Sequence, residues 1–167
     1  RLKRQIHSVE ILYRKSLYDQ AWKLLKSARK TAEKYERITS LIELNQWEKR
    51  IIERNQYEGI DKKQIKDIRK DDQQHLAHLE ANSALWNVKS KVFRKLYKRG
   101  KVRSGQELDK FKTILDELAV ELSPEQSTVE NLFLMNHLYS AYHFSLGDDE
   151  KSYPHLQQNL SFIEDHP

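Results

Sequence analysis

The sequence predicts an all-α protein, and two observations support this fold class. The first is the scarcity of turn-forming residues, since the 167 residues include four Gly and three Pro, too few for the closely spaced turns of an all-β protein. The second is that apolar side chains recur every three or four residues along most of the chain. Each such stripe is expected to be buried against a neighbouring helix. A chain of this length can form one domain with a substantial core.

Three helices near the N-terminus and one near residue 110 are predicted from apolar stripes on one side of each helix. The third stripe is followed by a long segment without this regular pattern, and the fourth lies after that segment. The stripes comprise Leu2, Ile6, Val9 and Tyr13; Ala21, Leu25, Ala28, Ala32 and Tyr35; Leu41, Leu44, Trp47 and Ile51; and Leu108, Phe111, Leu115, Leu118 and Leu122.

One long helix is predicted in the middle of the chain, over residues 61–99. This segment contains no Gly or Pro, and as one helix it would be about 58 Å long at about 1.5 Å per residue. The apolar pattern thins between Arg69 and His75 and resumes in a shifted phase at Leu85. We therefore expect a single helix that is bent or partly exposed in its middle, with two shorter helices as the alternative.

Glycines and capping residues predict several helix ends. Gly59 and Gly100 suit the position just after a last helical turn. Ser104 with Glu107 forms a capping-box sequence, in which each side chain accepts a hydrogen bond from a free amide at the helix start. Residues 123–126 read Ser-Pro-Glu-Gln, which combines an N-cap Ser with Pro at the first helical position. These signals predict helix starts near residues 104 and 123.

The last two helices are separated by Gly147, which ends the first of them. Pro154 is best tolerated in the first turn of a helix, so the last helix is predicted to begin near Ser152. The preceding helix is apolar around most of its circumference, which is typical of a helix packed on several sides. We expect the last helix, and chain beyond residue 167, to pack over it. The main stripe of the last helix comprises Leu156, Leu160 and Ile163, with Phe162 off this stripe.

Two segments resemble the tetratricopeptide repeat. Residues 18–28 (Tyr-Asp-Gln-Ala-Trp-Lys-Leu-Leu-Lys-Ser-Ala) resemble the second half of a repeat, with a small, a large apolar and a small residue in succession. Residues 138–167 resemble a whole repeat, including the Gly-Asp turn and the terminal Pro, although Ser152 and Asn159 occupy positions where smaller residues are usual. The combination is similar to a group of uncharacterised bacterial helical-repeat proteins.

The resemblance implies one tetratricopeptide-like domain over residues 1–167, as a fragment of a longer chain. Its fold would be an antiparallel, right-handed array of about seven helices with one long central helix. The resemblance also implies a scaffold that binds other proteins and performs no catalysis.

Charge and cysteine content exclude several classes of function. Residues 1–103 carry 27 basic and 13 acidic residues, whereas residues 104–167 carry 3 basic and 12 acidic residues. Such a charge asymmetry is typical of proteins that bind an anionic partner or whose two ends contact each other. The absence of Cys excludes disulfides, thiolate metal sites and a Cys nucleophile. The longest uncharged run, residues 131–147, is too short and too polar to span a bilayer, so we expect a soluble, cytoplasmic protein without membrane insertion.

A basic stripe follows the long helix and is the first candidate binding surface. Its cations could neutralise phosphates, with a salt-dependent affinity. There are three alternative roles for these cations. In order of preference, they form a solvated or internally paired face, they bind an acidic protein partner, or they bind nucleic acid. The basic stripe comprises Lys89, Lys91, Arg94, Lys95, Lys98, Arg99, Lys101 and Arg103.

Other polar and aromatic residues are candidates for a functional site, but ordinary solvation or packing also explains their positions. His75 and His78, with Asp71 one turn earlier, have a spacing that could hold a metal ion. However, no Glu separates the two His as in zinc peptidases, so a solvated helical face is the preferred interpretation. The sequence's Trp residues lie at helical spacing and are interpreted as packing residues. We expect no metal and no cofactor.

The candidate partner groove is on the apolar helix and comprises Asn136, Tyr139 and His143. The sequence shows no Ser-His-Asp order, Gly-rich phosphate loop or recognisable carboxylate pair, so an enzyme is not expected. The predicted function is a non-catalytic scaffold that holds a partner peptide or helix in a helical groove. The main alternative is a helical protein that binds nucleic acid through residues 89–103. A third hypothesis is that the protein is a regulatory domain whose last repeat docks onto a further C-terminal region.

Overall fold

The computed structural model describes residues 1–99, 105–121 and 128–165, and within these ranges the fold is all-α, as predicted. Seven helices are formed there, and residues 62–99 form one continuous helix, so the alternative of two shorter helices is wrong. The helices are α1 (Leu2–Arg14), α2 (Tyr18–Lys34), α3 (Ile38–Arg54), α4 (Lys62–Arg99), α5 (Gly105–Glu121), α6 (Val129–Leu146) and α7 (Asp149–Asp165).

Packing divides the chain into two compact units, unit 1 (Arg1–Leu79) and unit 2 (Glu80–Pro167). In unit 1, α1 packs on α2 and α3, and α2 packs on α3. Short connections between consecutive helices make them antiparallel neighbours. In unit 2, α6 packs on both α5 and α7. The prediction of a single repeat domain stays a prediction.

The core of unit 1 combines large and small apolar side chains from the predicted stripes. Leu25 and Leu44 are fully buried and fill the space between the helices. Ala21, Ala28 and Ala32 on α2 are also fully buried, and their small side chains allow close approach of the neighbouring helices. The segment 18–28 therefore has its small-large-small pattern inside the core.

The helices of unit 1 end in a turn that the sequence did not predict. After α1, the amide of Leu17 donates to the carbonyl of Leu12 at 2.9 Å, and the amide of Ser16 donates to that of Tyr13 at 3.0 Å. These two bonds define a Schellman motif. Its left-handed residue is Ser16, with φ 59°, and the corresponding residues after α2 and α3 are Glu36 (46°) and Gln56 (54°).

The helix ends predicted from glycines are therefore partly right. Gly147 adopts φ 76° and caps α6, as predicted. Gly59 also has a positive φ, of 70°, but α3 already ends at Arg54, so the prediction of Gly59 as its cap is wrong. The Schellman motif at Gln56 satisfies the last carbonyls of α3 before the chain reaches Gly59. Gly100 lies outside the described residues.

α6 begins at a side-chain cap that was not predicted, and α7 begins earlier than predicted. α6 begins at Val129, and the side chain of Thr128 accepts a hydrogen bond from the amide of Asn131; the start signals at 104 and 123–126 lie outside the described residues. α7 begins at Asp149 instead of Ser152. The reason is that the Asp148 carboxylate accepts from the amide of Lys151 at 3.1 Å and so caps the helix earlier.

Pro154 is tolerated in the second turn of α7. Its missing amide would have bonded to the carbonyl of Glu150, and both residues are exposed. Water can therefore satisfy that carbonyl, which offsets part of the usual cost of Pro beyond the first turn.

Replacing Thr128 by Ala is expected to lower the free energy of unfolding by about 1 kcal/mol, because the amide of Asn131 then loses its acceptor in a buried position. Thr128→Ser keeps the hydroxyl and should retain most of the stability. Urea denaturation of the two variants checks the cap, and equal losses in both would contradict it.

Candidate functional site

The three predicted groove residues meet around a fourth residue, His155 on α7. His155 Nδ1 donates to Asn136 Oδ1 at 3.2 Å. The rings of Tyr139 and His143 stack on the His155 ring, with centroids 5.4 and 5.9 Å away. All four side chains are half-buried. The structure thus brings Asn136, Tyr139 and His143 together, and whether they line a partner groove stays a prediction.

His155 belongs to the face of α7 that packs on α6, and the buried residues of this inner face are polar. Ser152 Oγ donates to the carbonyl of Ser140 at 3.1 Å, and the two hydroxyl oxygens are 2.9 Å apart. Asn159 Nδ2 donates to the carbonyl of Phe133 at 3.1 Å. Ser152 and Asn159 are the buried residues of α7. The sequence signal that could have found His155 is its spacing, three residues after Ser152 and four before Asn159.

Four large apolar residues of α7 are exposed on its other side, whereas Phe162 is half-buried. The side chains at 153, 156, 160 and 163 recur at helical spacing and form one surface, named here the α7 stripe. The predicted main stripe of the last helix is therefore exposed within the described residues, because hydrogen bonds from Ser152, His155 and Asn159 hold the opposite face against α6. The α7 stripe consists of Tyr153, Leu156, Leu160 and Ile163, which are 61%, 48%, 56% and 58% exposed.

Lowering the pH from about 8 to about 5 is expected to destabilise the protein. Burial lowers the pKa of His155, and the nearby His143 lowers it further. Burial also lowers the pKa of His137 and of His75. Below the ordinary histidine pKa of about 6.5, the unfolded chain binds protons that the folded chain does not, so the free energy of unfolding falls with pH. Above this value both states are neutral and the dependence disappears.

Urea denaturation at several pH values measures this effect. His155→Gln should weaken the dependence, because it removes one of the histidines that are held neutral. A free energy of unfolding that rises on acidification would contradict the conclusion that the fold lowers the pKa of these histidines.

Only part of the predicted basic stripe is described. Lys89 is half-buried, with its Nζ 5.9 Å from the centroid of the Phe93 ring. Lys91 and Arg94 are exposed. The side chains at 95, 98 and 99, and Lys101 and Arg103 as a whole, lie outside the described residues. Of the basic stripe, the described residues therefore include two exposed cations, one turn apart on α4.

Trp86 corrects the interpretation of the tryptophans as packing residues. Trp22 and Trp47 do pack against the core of unit 1. Trp86 is 65% exposed, because its neighbour Leu85 occupies the buried side of α4. The exposed indole of Trp86 lies one to two turns before Lys91 and Arg94 on α4.

Unit 1 contains an open cleft of ≈ 230 Å³ between α2, α3 and α4. Asp72 holds two walls of the cleft together, α4 and α3. Its carboxylate accepts a hydrogen bond from Asn45 Nδ2 at 2.8 Å and forms an ion pair with Lys49, and both partners are on α3. The start of α4 is fixed by a capping box in which Asp61 and Gln64 exchange hydrogen bonds of 2.8 and 2.9 Å. The lining residues are Trp22, Arg29, Glu48, Ile52, Ile60, Gln64, Asp67, Ile68 and Asp71. The sequence reasoning missed this cleft, since its residues come from three helices.

The spacing of Asp71, His75 and His78 does not create a metal site in the described part of the chain. Both histidines are half-buried on α4, and no group of three or more His, Asp or Glu side chains is arranged there to hold a metal ion. Nor is any helix of the described ranges both long and apolar enough to cross a membrane.

Comparison with known proteins leaves the family open. No protein-family model matches the chain, and no curated protein or solved structure is significantly similar to it. The resemblance to tetratricopeptide repeats therefore stays a prediction.

Proposed function

We propose that the protein is a non-catalytic interaction module that binds a helix of a partner protein. The observation that carries this proposal is the orientation of α7, with its polar face packed on α6 and its apolar α7 stripe facing outward. A contiguous apolar surface with polar surroundings is typical of an interaction site. Burying one such side chain contributes about 1.5–3 kcal/mol, so a stripe of four can support a specific contact.

The charges around the α7 stripe indicate the chemistry of the partner. Asp149 and Glu150 precede the stripe, and Glu164 and Asp165 follow it; all four are exposed. The stripe itself spans eleven residues, and its first and last residues are about 15 Å apart along the helix. A complementary partner is an amphipathic helix of three to four turns, with apolar residues in the middle and Lys or Arg at both ends.

The tetratricopeptide-like arrangement is part of the same proposal. Support comes from the buried Ala21, Leu25 and Ala28, which match the small-large-small pattern of a repeat, and from the capping of α6 by Gly147. Right-handed stacking of such helix pairs is part of this proposal. We propose the cytoplasm as the compartment.

A designed peptide tests the proposal. The probe is a fluorescent helix of about 18 residues with a Leu stripe and Lys at both ends. One matched control carries Glu in place of Lys, and another is a scrambled sequence of the same composition. The proposal expects fluorescence anisotropy to show binding of the Lys peptide, weaker binding of the Glu peptide and none of the scrambled one. Equal binding of all three would contradict it.

Nucleic-acid binding is the second candidate, and the exposed Trp86 is the observation that favours it. A base stacked on an aromatic ring contributes about 1–3 kcal/mol, and Lys91 and Arg94 could contact phosphates nearby. Binding of a labelled single strand would then weaken steeply as salt rises. Trp86→Ala would reduce the affinity at every salt concentration. Lys91→Gln would reduce the affinity and also make it less dependent on the salt concentration. Binding that responds to neither variant would exclude this surface.

A further inference from the structure

The cleft of unit 1 has the size and walls of a site for one long side chain. Its volume of ≈ 230 Å³ is below the range of about 300–1,000 Å³ that is usual for drug-sized ligands. Trp22, Ile52, Ile60 and Ile68 supply apolar walls from α2, α3, the following loop and α4. The aliphatic part of a long side chain could lie against these walls, because it has no hydrogen-bonding group to bury.

The polar lining of the cleft carries an excess of negative charge. Arg29 and Glu48 form an ion pair between α2 and α3, so their charges balance. Asp67 and Asp71 lie one turn apart on α4, and both line the cleft. Within the described residues, no Lys, Arg or His forms an ion pair with either of them. Two carboxylates therefore face the cleft without a paired cation.

We propose that this cleft binds an alkylammonium or alkylguanidinium group, with the stem against Trp22 and the isoleucines and the cation at Asp67 and Asp71. An indole at the wall suits this ligand, since aromatic rings attract cations; Lys26 Nζ already lies 5.2 Å from the Trp22 centroid. The group could come from a Lys or Arg side chain of a partner or from a free alkylamine. This site is in unit 1, so it stands independently of the α7 stripe in unit 2.

The pKa of Glu48 responds to the charge of Asp71 at the same cleft. Burial raises the pKa of Glu48, Arg29 opposes this rise, and the carboxylate of Asp71 adds to it. A cation bound beside Asp71 would offset that repulsion. Binding should therefore become weaker as the carboxylates are protonated on acidification.

Two-dimensional NMR of the isotope-labelled full chain tests the proposal, with the indole N–H of Trp22 assigned through Trp22→Phe. The cationic probes are the Nα-acetyl amides of Lys and Arg, and diaminobutane serves as a free alkylamine. The Nα-acetyl amides of norleucine and citrulline are neutral probes of similar shape. The proposal expects the cations to shift the Trp22 signal and to bind about threefold or more tightly than the neutral probes, as two exposed ion pairs allow.

Paired variants separate binding from folding. Asp67→Asn with Asp71→Asn should reduce the affinity for cations to that of the neutral probes. Glu53→Gln, which removes an exposed carboxylate of α3 outside the cleft, should leave the affinity unchanged. Tighter binding of capped Lys or Arg than of diaminobutane would assign the group to a partner side chain, and the reverse would assign it to a free alkylamine. Equal affinity for cationic and neutral probes, or no shift of Trp22 with any cation, would overturn the proposal.

Discussion

Replacing Leu44 by Ala is expected to lower the free energy of unfolding by about 2–5 kcal/mol. Leu44 is fully buried on α3 within the core of unit 1. Truncation removes its apolar contacts and leaves a cavity that the surrounding helices fill only in part. A loss of this size is a large fraction of the stability of an ordinary domain, which is about 5–15 kcal/mol. Urea denaturation followed by circular dichroism measures it.

Ile11→Ala provides the control for this experiment. Ile11 is also an apolar residue of unit 1, but its side chain is 39% exposed on α1. Its replacement should change the free energy of unfolding by no more than about 0.5 kcal/mol. Similar losses in the two variants would contradict the core as described here.

Replacing Leu156 and Leu160 together by Glu is expected to weaken binding of the Lys-flanked helix about 30-fold or more. This factor corresponds to the loss of about 2 kcal/mol that is typical of a central interface residue. The two new carboxylates would also have to be buried against the apolar stripe of the partner. Both leucines are about half exposed, so the fold should tolerate the change. Fluorescence anisotropy measures the affinity, and urea denaturation measures the stability.

Unit 1 offers a matched control for this double variant. Ile65 and Leu76 on α4 are 46% and 56% exposed, close to the 48% and 56% of Leu156 and Leu160. Replacing Ile65 and Leu76 by Glu introduces the same charges on an exposed apolar surface of the other unit. Affinity for the peptide should then remain that of the unmodified protein. Equal loss of binding in both double variants would indicate a general effect of charge and would contradict a site on the α7 stripe.

The all-α fold and the long helix could be predicted because they depend on local pattern. Few Gly and Pro, together with apolar residues at helical spacing, leave no alternative to helices over most of the chain. The core of unit 1 follows the same pattern, since Leu25 and Leu44 of the predicted stripes are fully buried. The continuity of α4 follows from the absence of any breaker between residues 61 and 99.

The helix ends in unit 1 could not be predicted, because the residues that form them are not typical of turns. Ser16, Glu36 and Gln56 adopt the left-handed conformation that Gly usually supplies after a helix. The hydrogen bonds of the Schellman motif and the packing of the next helix stabilise that conformation, and a single sequence does not show either effect. Gly59 was a stronger local signal, yet it lies beyond the actual end of α3.

The candidate site was predicted only in part, because the sequence does not show which face of α7 is buried. Hydrophobicity alone favours an inward orientation of the stripe that contains Leu156, Leu160 and Ile163. The hydrogen bonds of Ser152 and Asn159 with α6 are long-range contacts, and they fix the opposite orientation. The candidate groove residues Asn136, Tyr139 and His143 all lie around His155, which comes from another helix and was not part of the prediction.

The most direct measurement of the central claim is a two-dimensional NMR titration of the isotope-labelled protein with the Lys-flanked helix. An outward-facing α7 stripe that binds a partner predicts that the largest shifts fall on Tyr153, Leu156, Leu160 and Ile163. Shifts centred on Trp86 and Arg94, or no shifts on α7 at saturating peptide, would contradict it.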